Sequence, residues 1–353
     1  MSEAEEPEIL FEVRDGLAVV TLNRPKALNT LTWDMIQAYH PQLRAWAEDP
    51  GIGALVIRAT GSRAFCAGGD IRIIWEQIRN GGELPRLFFR GEYALNHDIH
   101  RFPKPYIALL DGIVMGGGVG LSVHGSHRIA TENTLFAMPE TGIGLFPDVG
   151  GTYFLPRLPG RLGLFLGLTG ARLRAADCLY AGVATHYVES ALLEDLIAAL
   201  AAADSEDAAA VDAVIAGFAG DPGPAPLAEQ REAIDRCFAT ESVEAILEAL
   251  RAEATPWADK LAGLMERASP TGLKLAFRQI HEGAELDFAA AMTLEYRLSQ
   301  ACMYGHDFPE GVRALIIDKD NAPRWRPATL AEVDAEAIEA CFRPLGDRDL
   351  ILT

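Results

Sequence analysis

The feature that most constrains the fold of this chain is a pair of glycine-rich turns, each between an apolar, strand-like run and a helical stretch. The first turn, residues 67–69, follows the run AFC and precedes a helix opened by Asp70. The second, residues 115–118 (MGGG), follows the run YIALLDGIV and precedes a helix that begins near Gly117. Small residues let a backbone approach a ligand closely, and the N–H groups at a helix start point outward as donors. The two turns predict strands that alternate with helices.

Other patterns before residue 190 agree with this alternation. Two β-rich runs flank Asp15-Gly16, a dipeptide typical of hairpin turns. Residues 53–59 (GALVIRA) have the pattern of a buried strand, and residues 184–189 (ATHYVE) that of a last short strand. The first part of the chain is therefore predicted to have an α/β architecture.

The pattern changes beyond residue 190, where only helical periodicity is found. An alanine-rich stretch is followed by DPGPAP at residues 221–226, the clearest linker in the chain. We therefore expect an α/β core that carries the site over residues 1–200, an Ala-rich helix and Pro/Gly linker over 201–226, and a helical region over 227–353. That last region is expected to cover the site or to form subunit contacts, with its last clear helix at residues 307–317.

Composition excludes several classes of function. The formal net charge is −19 and only five residues are lysines, so the surface repels nucleic acid and anionic lipid. The five cysteines form no C-x-x-C pair, which indicates reduced thiols. No apolar run approaches the roughly 18 residues that span a bilayer, and the acidic start MSEAEEPE has neither a signal-peptide nor a transit-peptide pattern. These features predict a soluble cytoplasmic protein without nucleic-acid or membrane partners.

Two carboxylates stand out in the apolar, glycine-rich segment MPETGIGLFPDVGG at residues 138–151. Glu140 and Asp148 have no Lys or Arg near them between Arg128 and Arg157. A carboxylate in apolar surroundings tends to have a raised pKa, which suits acid/base chemistry. The alternative is that both residues only stabilise turns. Glu92 on the helical stretch before the second glycine turn is, taken alone, typical of a solvated helix face.

Several familiar sites are absent from the sequence. There is no G-x-S-x-G elbow, no phosphate-binding loop, and no third glycine of a dinucleotide fingerprint after MGGGVG. No histidine has the spacing of a metal ligand, so we expect no metal site and interpret the histidines as structural.

The segments AFCAGGDI, DGIVMGGGVGLS and FAMPETGIGLFPDVGG, in this order and spacing, resemble the enoyl-CoA hydratase/isomerase (crotonase) superfamily. The sequences of the last two segments, together with GVATHYV and EGVRALIIDKDNAPRW, are similar to those of its 3-hydroxyisobutyryl-CoA hydrolase branch. The resemblance implies a crotonase-like spiral core of ββα turns followed by an all-helical C-terminal region. It also implies one acyl-CoA per subunit, no cofactor because coenzyme A is part of the substrate, and a homo-oligomer, either trimer or hexamer.

The resemblance also assigns roles to particular residues. The amides of Gly69 and Gly117 would form an oxyanion hole, with Ala67 and Gly68 beside the coenzyme A. Arg24 and Lys26 are candidate neighbours of its phosphates. The branch's substrate-binding and catalytic side chains correspond to Glu92, Glu140 and Asp148.

One departure from the superfamily changes the expected reaction. Hydratases of the superfamily carry a glutamate in the helix after the glycine turn, where this chain has Gly120, and a second glutamate that matches Glu140. Because hydration in the usual way needs both, the resemblance implies thioester hydrolysis of a short 3-hydroxyacyl-CoA. The expected substrate is 3-hydroxyisobutyryl-CoA of valine degradation. An enoyl-CoA hydratase or isomerase that uses Glu140 alone and a catalytically silent acyl-CoA-binding protein remain as alternatives.

Overall fold

The computed structural model describes residues 6–203 and 207–352, so the first five positions of the acidic N-terminal segment lie outside the described residues. The strands are β1 (Ile9–Arg14), β2 (Leu17–Leu22), β3 (Ala54–Ala59), β4 (Ala64–Cys66), β5 (Tyr106–Leu110), β6 (Ile113–Val114), β7 (His127–Ala130), β8 (Leu135–Phe136) and β9 (His186–Tyr187). The helices are α1 (Trp33–Glu48), α2 (Ile71–Arg79), α3 (Leu84–His100), α4 (Gly117–Gly120), α5 (Gly151–Phe154), α6 (Leu162–Thr169), α7 (Ala175–Tyr180), α8 (Leu193–Ala202), α9 (Ala208–Phe218), α10 (Arg231–Cys237), α11 (Val243–Glu253), α12 (Pro256–Arg267), α13 (Pro270–Gly283), α14 (Phe288–Tyr304), α15 (Asp307–Val312) and α16 (Ala335–Phe342). The predicted α/β class with a helical C-terminal region is confirmed.

The chain divides into two compact units, and it passes between them several times. The first unit is drawn from Met1–Gly69, Asp98–Phe136 and Leu173–Ala225. The second is drawn from Asp70–His97, Ala137–Arg172 and Pro226–Thr353. The last passage, at Ala225–Pro226, falls in the DPGPAP stretch.

A six-stranded sheet organises the first unit, in the order β1-β2-β3-β5-β7-β9. Strands β1 and β2 pair antiparallel and the other neighbours pair parallel. Helices α8 and α9 contribute apolar side chains to a core on one face of this sheet. The sheet side chains in that core recur every second residue, as the pleat requires: Leu17, Val19, Ala54, Val56, Ile107 and Leu109.

A second sheet in the same unit determines where the two glycine turns lie. Its three short strands have the order β4-β6-β8 and pair parallel. Strands β4 and β6 are the two that precede the glycine turns, and they are neighbours. Because the carboxyl ends of parallel strands meet at the same edge, both turns leave this sheet at one edge.

The second unit is built mainly from helices. Helices α13 and α14 both pack against the short helix α5. Gly283 allows part of this approach, because a β-carbon at that position would lie 1.9 Å from the Thr152 carbonyl oxygen. The C-terminal helices therefore surround the segment that follows Asp148.

Most local sequence predictions match these elements. Asp15 and Gly16 have φ angles of 47° and 84°, as expected for the predicted hairpin turn. The alanine-rich stretch forms α8 and α9, with residues 204–206 outside the described residues. The last predicted helix is corrected in two ways: α15 ends at Val312, a π-helical turn (Arg313–Ile317) follows, and a further helix, α16, comes later. Helix α16 has only two buried residues, so its apolar periodicity is weak.

Within the described residues, none of the helices is both long and apolar enough to cross a membrane.

Candidate functional site

In the first unit, the two glycine turns are joined through the ends of their strands. The Met115 amide donates to the Cys66 carbonyl over 3.0 Å, and the Leu31 amide donates to the Gly68 carbonyl over 2.8 Å. Gly68 and Gly116 have φ angles of 120° and 47°, which L side chains rarely adopt. The backbone of both turns is therefore fixed by neighbouring main chain.

The two amides that the family resemblance assigned to an oxyanion hole are available as donors. In the part of the chain that the structure describes, no hydrogen bond is formed by the amide of Gly69 or of Gly117. Gly117 is the first residue of α4, and Gly69 directly precedes the residue that opens α2. Partially buried N–H groups of this kind are suited to an oxygen atom that gains negative charge.

Gly118 makes the second turn possible through its lack of a side chain. A β-carbon there would lie 2.2 Å from the Cys66 carbonyl oxygen and 3.0 Å from the carbonyl carbon. The second turn thus rests directly on the backbone that leads into the first.

The residues predicted to lie near coenzyme A are on the same unit. The Ala67 amide donates to the Leu28 carbonyl over 3.1 Å. Arg24 binds the Thr30 carbonyl oxygen over 2.7 Å and pairs with Glu8 over 2.7 Å, so its guanidinium stabilises its own loop. Lys26 is exposed in a short 3-10 turn. The roles of these residues toward a phosphate stay predictions.

In the second unit, Glu140 and Asp148 begin and end a compact loop. Glu140 is the first residue of a 3-10 turn (Glu140–Ile143), and its carbonyl accepts the Leu145 amide over 3.0 Å. Both carboxyl side chains are buried, each residue with 4% exposure. Both carboxyl groups thus lie in the apolar surroundings that the sequence of this segment predicts.

Glu92 belongs to a buried acidic cluster with Asp148 rather than to a solvated helix face. It is 2% exposed on α3, and its Oε1 has no hydrogen-bond partner among residues 6–203 and 207–352. The neighbouring Tyr93 hydroxyl donates to Asp148 Oδ2 over 2.8 Å. Burial, with the charges of Asp148 and Glu295, raises the pKa of Glu92 well above its usual range.

Asp148 has the proton affinity of an acid that works near neutral pH. Burial raises the pKa of Asp148 to about 7, and the hydrogen bond from Tyr93 partly offsets this. A group whose pKa lies near the working pH can both give and take a proton. The cluster is therefore equipped for proton transfer.

Sequence reasoning missed three members of this environment: Tyr93, Gln279 and Glu295. Glu295 is fully buried on α14, and burial, with the charge of Asp148, raises its pKa to about 8. A signal was present, because Glu295 lies on the apolar stripe of α14 at helical spacing from Met292 and Leu298. A carboxylate on such a stripe is rarely buried without a role.

Asn96 lies one helical turn beyond Glu92 on the same face of α3. It is fully buried, and neither polar atom of its side chain has a hydrogen-bond partner within the described ranges. Buried polar atoms normally have partners, so this face of the helix is suited to a polar ligand or to water. Among the described residues, no group of three or more His, Cys, Asp or Glu is arranged to hold a metal ion.

We expect the Asp148→Asn variant to be more stable than the wild type at pH 8 but not at pH 4. An unfolded aspartate has a pKa of about 3.9, whereas that of Asp148 is raised to about 7. The proton that Asp148 binds in the folded wild type contributes stability that is fully present below about pH 4 and is lost as the pH rises through about 7. Urea unfolding of both proteins across this range measures the difference, which reaches at most about 4 kcal/mol.

The exposed Asp195→Asn change is the control for this prediction, because it removes a carboxylate without removing a buried one. A stability difference for Asp148→Asn that does not grow with pH would contradict the raised pKa.

Comparisons with known proteins agree on one family. A family model described as enoyl-CoA hydratase/isomerase matches residues 17–342. A Danio rerio protein named 3-hydroxyisobutyryl-CoA hydrolase, mitochondrial, is 52% identical over 100% of this chain and 94% of its own length. A Homo sapiens protein of the same name is 48% identical over 97% of this chain and 90% of its own.

Solved structures have the same fold. A carnitinyl-CoA dehydratase from Mycobacterium thermoresistibile has a TM-score of 0.92 and 42% identity, covering 98% of this chain and 99% of its own. An enoyl-CoA hydratase from Rhodobacter sphaeroides has a TM-score of 0.89 and 39% identity, covering 98% of this chain and 100% of its own.

The prediction of a cytoplasmic location is wrong by these comparisons, because the relatives at about half identity are named as mitochondrial proteins. Reduced cysteines indicate a reducing environment, and cysteine usage does not distinguish one reducing compartment from another.

Proposed function

Since the chain belongs to the enoyl-CoA hydratase/isomerase family, in its 3-hydroxyisobutyryl-CoA hydrolase branch, we propose that it hydrolyses the thioester of a short 3-hydroxyacyl-CoA. The proposed substrate is 3-hydroxyisobutyryl-CoA, an intermediate of valine degradation. The observation that carries the proposal is the identity of about half of all residues to hydrolases of that name, over nearly the full length. The buried acids and the available turn amides support it.

The proposed mechanism starts at the thioester carbonyl. Its oxygen accepts hydrogen bonds from the Gly69 and Gly117 amides, which stabilise the negative charge that develops on it; each such donor is worth roughly 3–4 kcal/mol. Glu140 either attacks the carbonyl carbon to form a mixed anhydride or takes a proton from a water that attacks it. The carbon–sulfur bond then breaks, and the thiolate of coenzyme A leaves.

Asp148 supplies the proton for this leaving group in the proposal. Its pKa of about 7 means that the protonated form is present at neutral pH. Transfer of this proton gives the free thiol of coenzyme A. One water in total is consumed to give the hydroxy acid, and the other proton of that water returns to Asp148, by way of Glu140 or solvent. Where the anhydride forms, this water hydrolyses it and frees Glu140.

Glu92 is proposed to recognise the 3-hydroxyl of the acyl group together with Asp148. Its raised pKa favours the protonated form, which can donate a hydrogen bond as well as accept one. A substrate without the hydroxyl would leave these buried groups unpaired, which is costly. The enzyme should therefore discriminate strongly against the deoxy acyl-CoA.

A second candidate function is hydration or dehydration of an acyl-CoA. The names of the two structurally similar proteins, a carnitinyl-CoA dehydratase and an enoyl-CoA hydratase, favour it. Gly120 opposes it, because a side chain that could serve as the second acid/base group is missing at that position of α4. Glu140 alone would then have to add and remove protons.

The test is a substrate panel that measures free thiol release and double-bond absorbance with the same enzyme. We expect thiol release from 3-hydroxyisobutyryl-CoA at a kcat/KM at least about 100-fold above that for isobutyryl-CoA. Crotonyl-CoA should be neither hydrated nor hydrolysed at a comparable rate. Hydration of crotonyl-CoA without thiol release from the hydroxyacyl ester would overturn the hydrolase proposal, and binding without any turnover would favour a silent acyl-CoA-binding protein.

The homo-oligomer, trimer or hexamer, stays a prediction from the family. Light scattering on the purified protein measures the mass against that of the 38.2 kDa chain.

A further inference from the structure

The segment that carries Asp148 has a strained backbone. Val149 and Gly150, which follow it, have φ angles of 52° and 92°. Positive φ is strongly disfavoured for a β-branched residue such as valine and persists only where the surrounding structure imposes it. The neighbours of this segment must therefore hold it in place.

Glu295 of α14 is one such neighbour, and it holds the segment by two hydrogen bonds. Its Oε2 accepts the Gly150 amide over 2.8 Å, and its Oε1 accepts the Thr152 amide over 2.8 Å. The side chain is fully buried, so water does not compete for these bonds. Both oxygens of one carboxyl group are thus used to fix the residues that directly follow Asp148.

Gln279 of α13 holds the other side of the same segment. Its Nε2 donates to the Pro147 carbonyl over 2.5 Å and to Thr152 Oγ1 over 2.9 Å. The main chain is therefore bound immediately before Asp148 and two residues after it, by two helices of the C-terminal region.

Titratable groups face Asp148 from two elements. Glu92 and Tyr93 do so from α3, and Glu295 and Cys302 from α14. Of these, only Glu295 also binds the backbone of the Asp148 segment. Glu295 is therefore the member of this group that fixes the main chain beside Asp148.

We propose that Glu295 is a positioning residue that sets the orientation of the Asp148 carboxyl group through its hydrogen bonds to the Gly150 and Thr152 amides. Gln279 assists by binding Pro147. This inference rests on the proposed function, in which Asp148 protonates the leaving thiolate.

The test compares the wild type with Glu295→Gln, measuring kcat and KM by thiol release. Glutamine has the same shape but removes the charge, and only its carbonyl oxygen can accept an amide. We expect kcat to fall about 10- to 100-fold with a smaller change in KM.

Asp349→Asn is the matched control. The Asp349 carboxylate forms an ion pair over 2.7 Å with Arg297, which lies on α14 as Glu295 does. The substitution therefore removes a carboxylate bound to α14 and leaves the contacts of the Asp148 segment unchanged. This variant should be less thermally stable but keep the wild-type kcat and KM. A Glu295→Gln enzyme that behaves like the control would overturn the proposal, as would unchanged kcat.

Gln279→Met provides a second route if Glu295→Gln does not fold. It removes the hydrogen bonds to Pro147 and Thr152 without changing a charge, so kcat should fall about 10-fold with a smaller change in KM. An unchanged kcat for Gln279→Met would overturn the positioning role of the two helices. Failure of the proposed function is distinguishable, because the wild-type enzyme would then release no thiol in the same assay.

Discussion

Replacement of Glu140 by glutamine is expected to lower kcat for thiol release by at least about 1,000-fold while acyl-CoA binding persists. The amide has nearly the same shape as the carboxylate, so the fold and the contacts to coenzyme A are kept. It is, however, neither a nucleophile nor a base, and both versions of the mechanism need one of these at Glu140. Single-turnover kinetics measure the chemical step, and calorimetry measures binding of a coenzyme A ester to the variant.

Glu132→Gln is the control for this prediction. Glu132 is exposed and accepts a hydrogen bond from the Ser190 amide over 2.9 Å, so the same chemical change is made outside the proposed machinery. Turnover in this variant should equal that of the wild type. Unchanged turnover in Glu140→Gln would remove Glu140 from the chemistry.

Replacement of Gly118 by alanine is expected to lower kcat about 100-fold or more and to destabilise the protein. The added β-carbon would lie 2.2 Å from the Cys66 carbonyl oxygen and 2.9 Å from Cys66 Cβ, so the two glycine turns must move apart. Displacement of an oxyanion-hole donor costs about 100- to 1,000-fold in kcat. Overpacking of this kind lowers the free energy of unfolding by about 1–3 kcal/mol.

Gly217→Ala is the matched control for Gly118→Ala. Gly217 lies within α9 of the same unit, and a β-carbon there meets nothing within 4 Å. Alanine should stabilise that helix by up to about 1 kcal/mol and leave turnover unchanged. Thermal unfolding and thiol release on both variants separate the effect of close packing from the general effect of losing a glycine. Full activity in Gly118→Ala would contradict the proposed oxyanion hole.

Local structure was predictable wherever it depends on a few neighbouring residues. The Asp15-Gly16 hairpin follows from turn chemistry, and both residues indeed have the positive φ angles of such a turn. Helix α16 escaped prediction because only Ile338 and Phe342 are buried, too few to produce a helical period.

The environment of the carboxylates was only partly predictable. Glu140 and Asp148 were recognised because they stand in an apolar segment, but Glu92 was identified only through the family resemblance. Its sequence neighbours do not indicate burial, because burial depends on which helices pack around α3. Glu295 was missed for the same reason, although its place on an apolar stripe was visible.

The α/β order, the two glycine turns and the family could be predicted from the amino-acid sequence, because strand periodicity, turn residues and motifs can be read along the chain. The groups that surround Asp148, and therefore its pKa, depend on how distant parts of the chain pack together. Glu92, Asp148 and Glu295 come from three separate stretches of the chain, and their desolvation and mutual repulsion arise only when those stretches pack together. The glycine turns could be located from the sequence, but the raised pKa of Asp148 arises only in the folded protein.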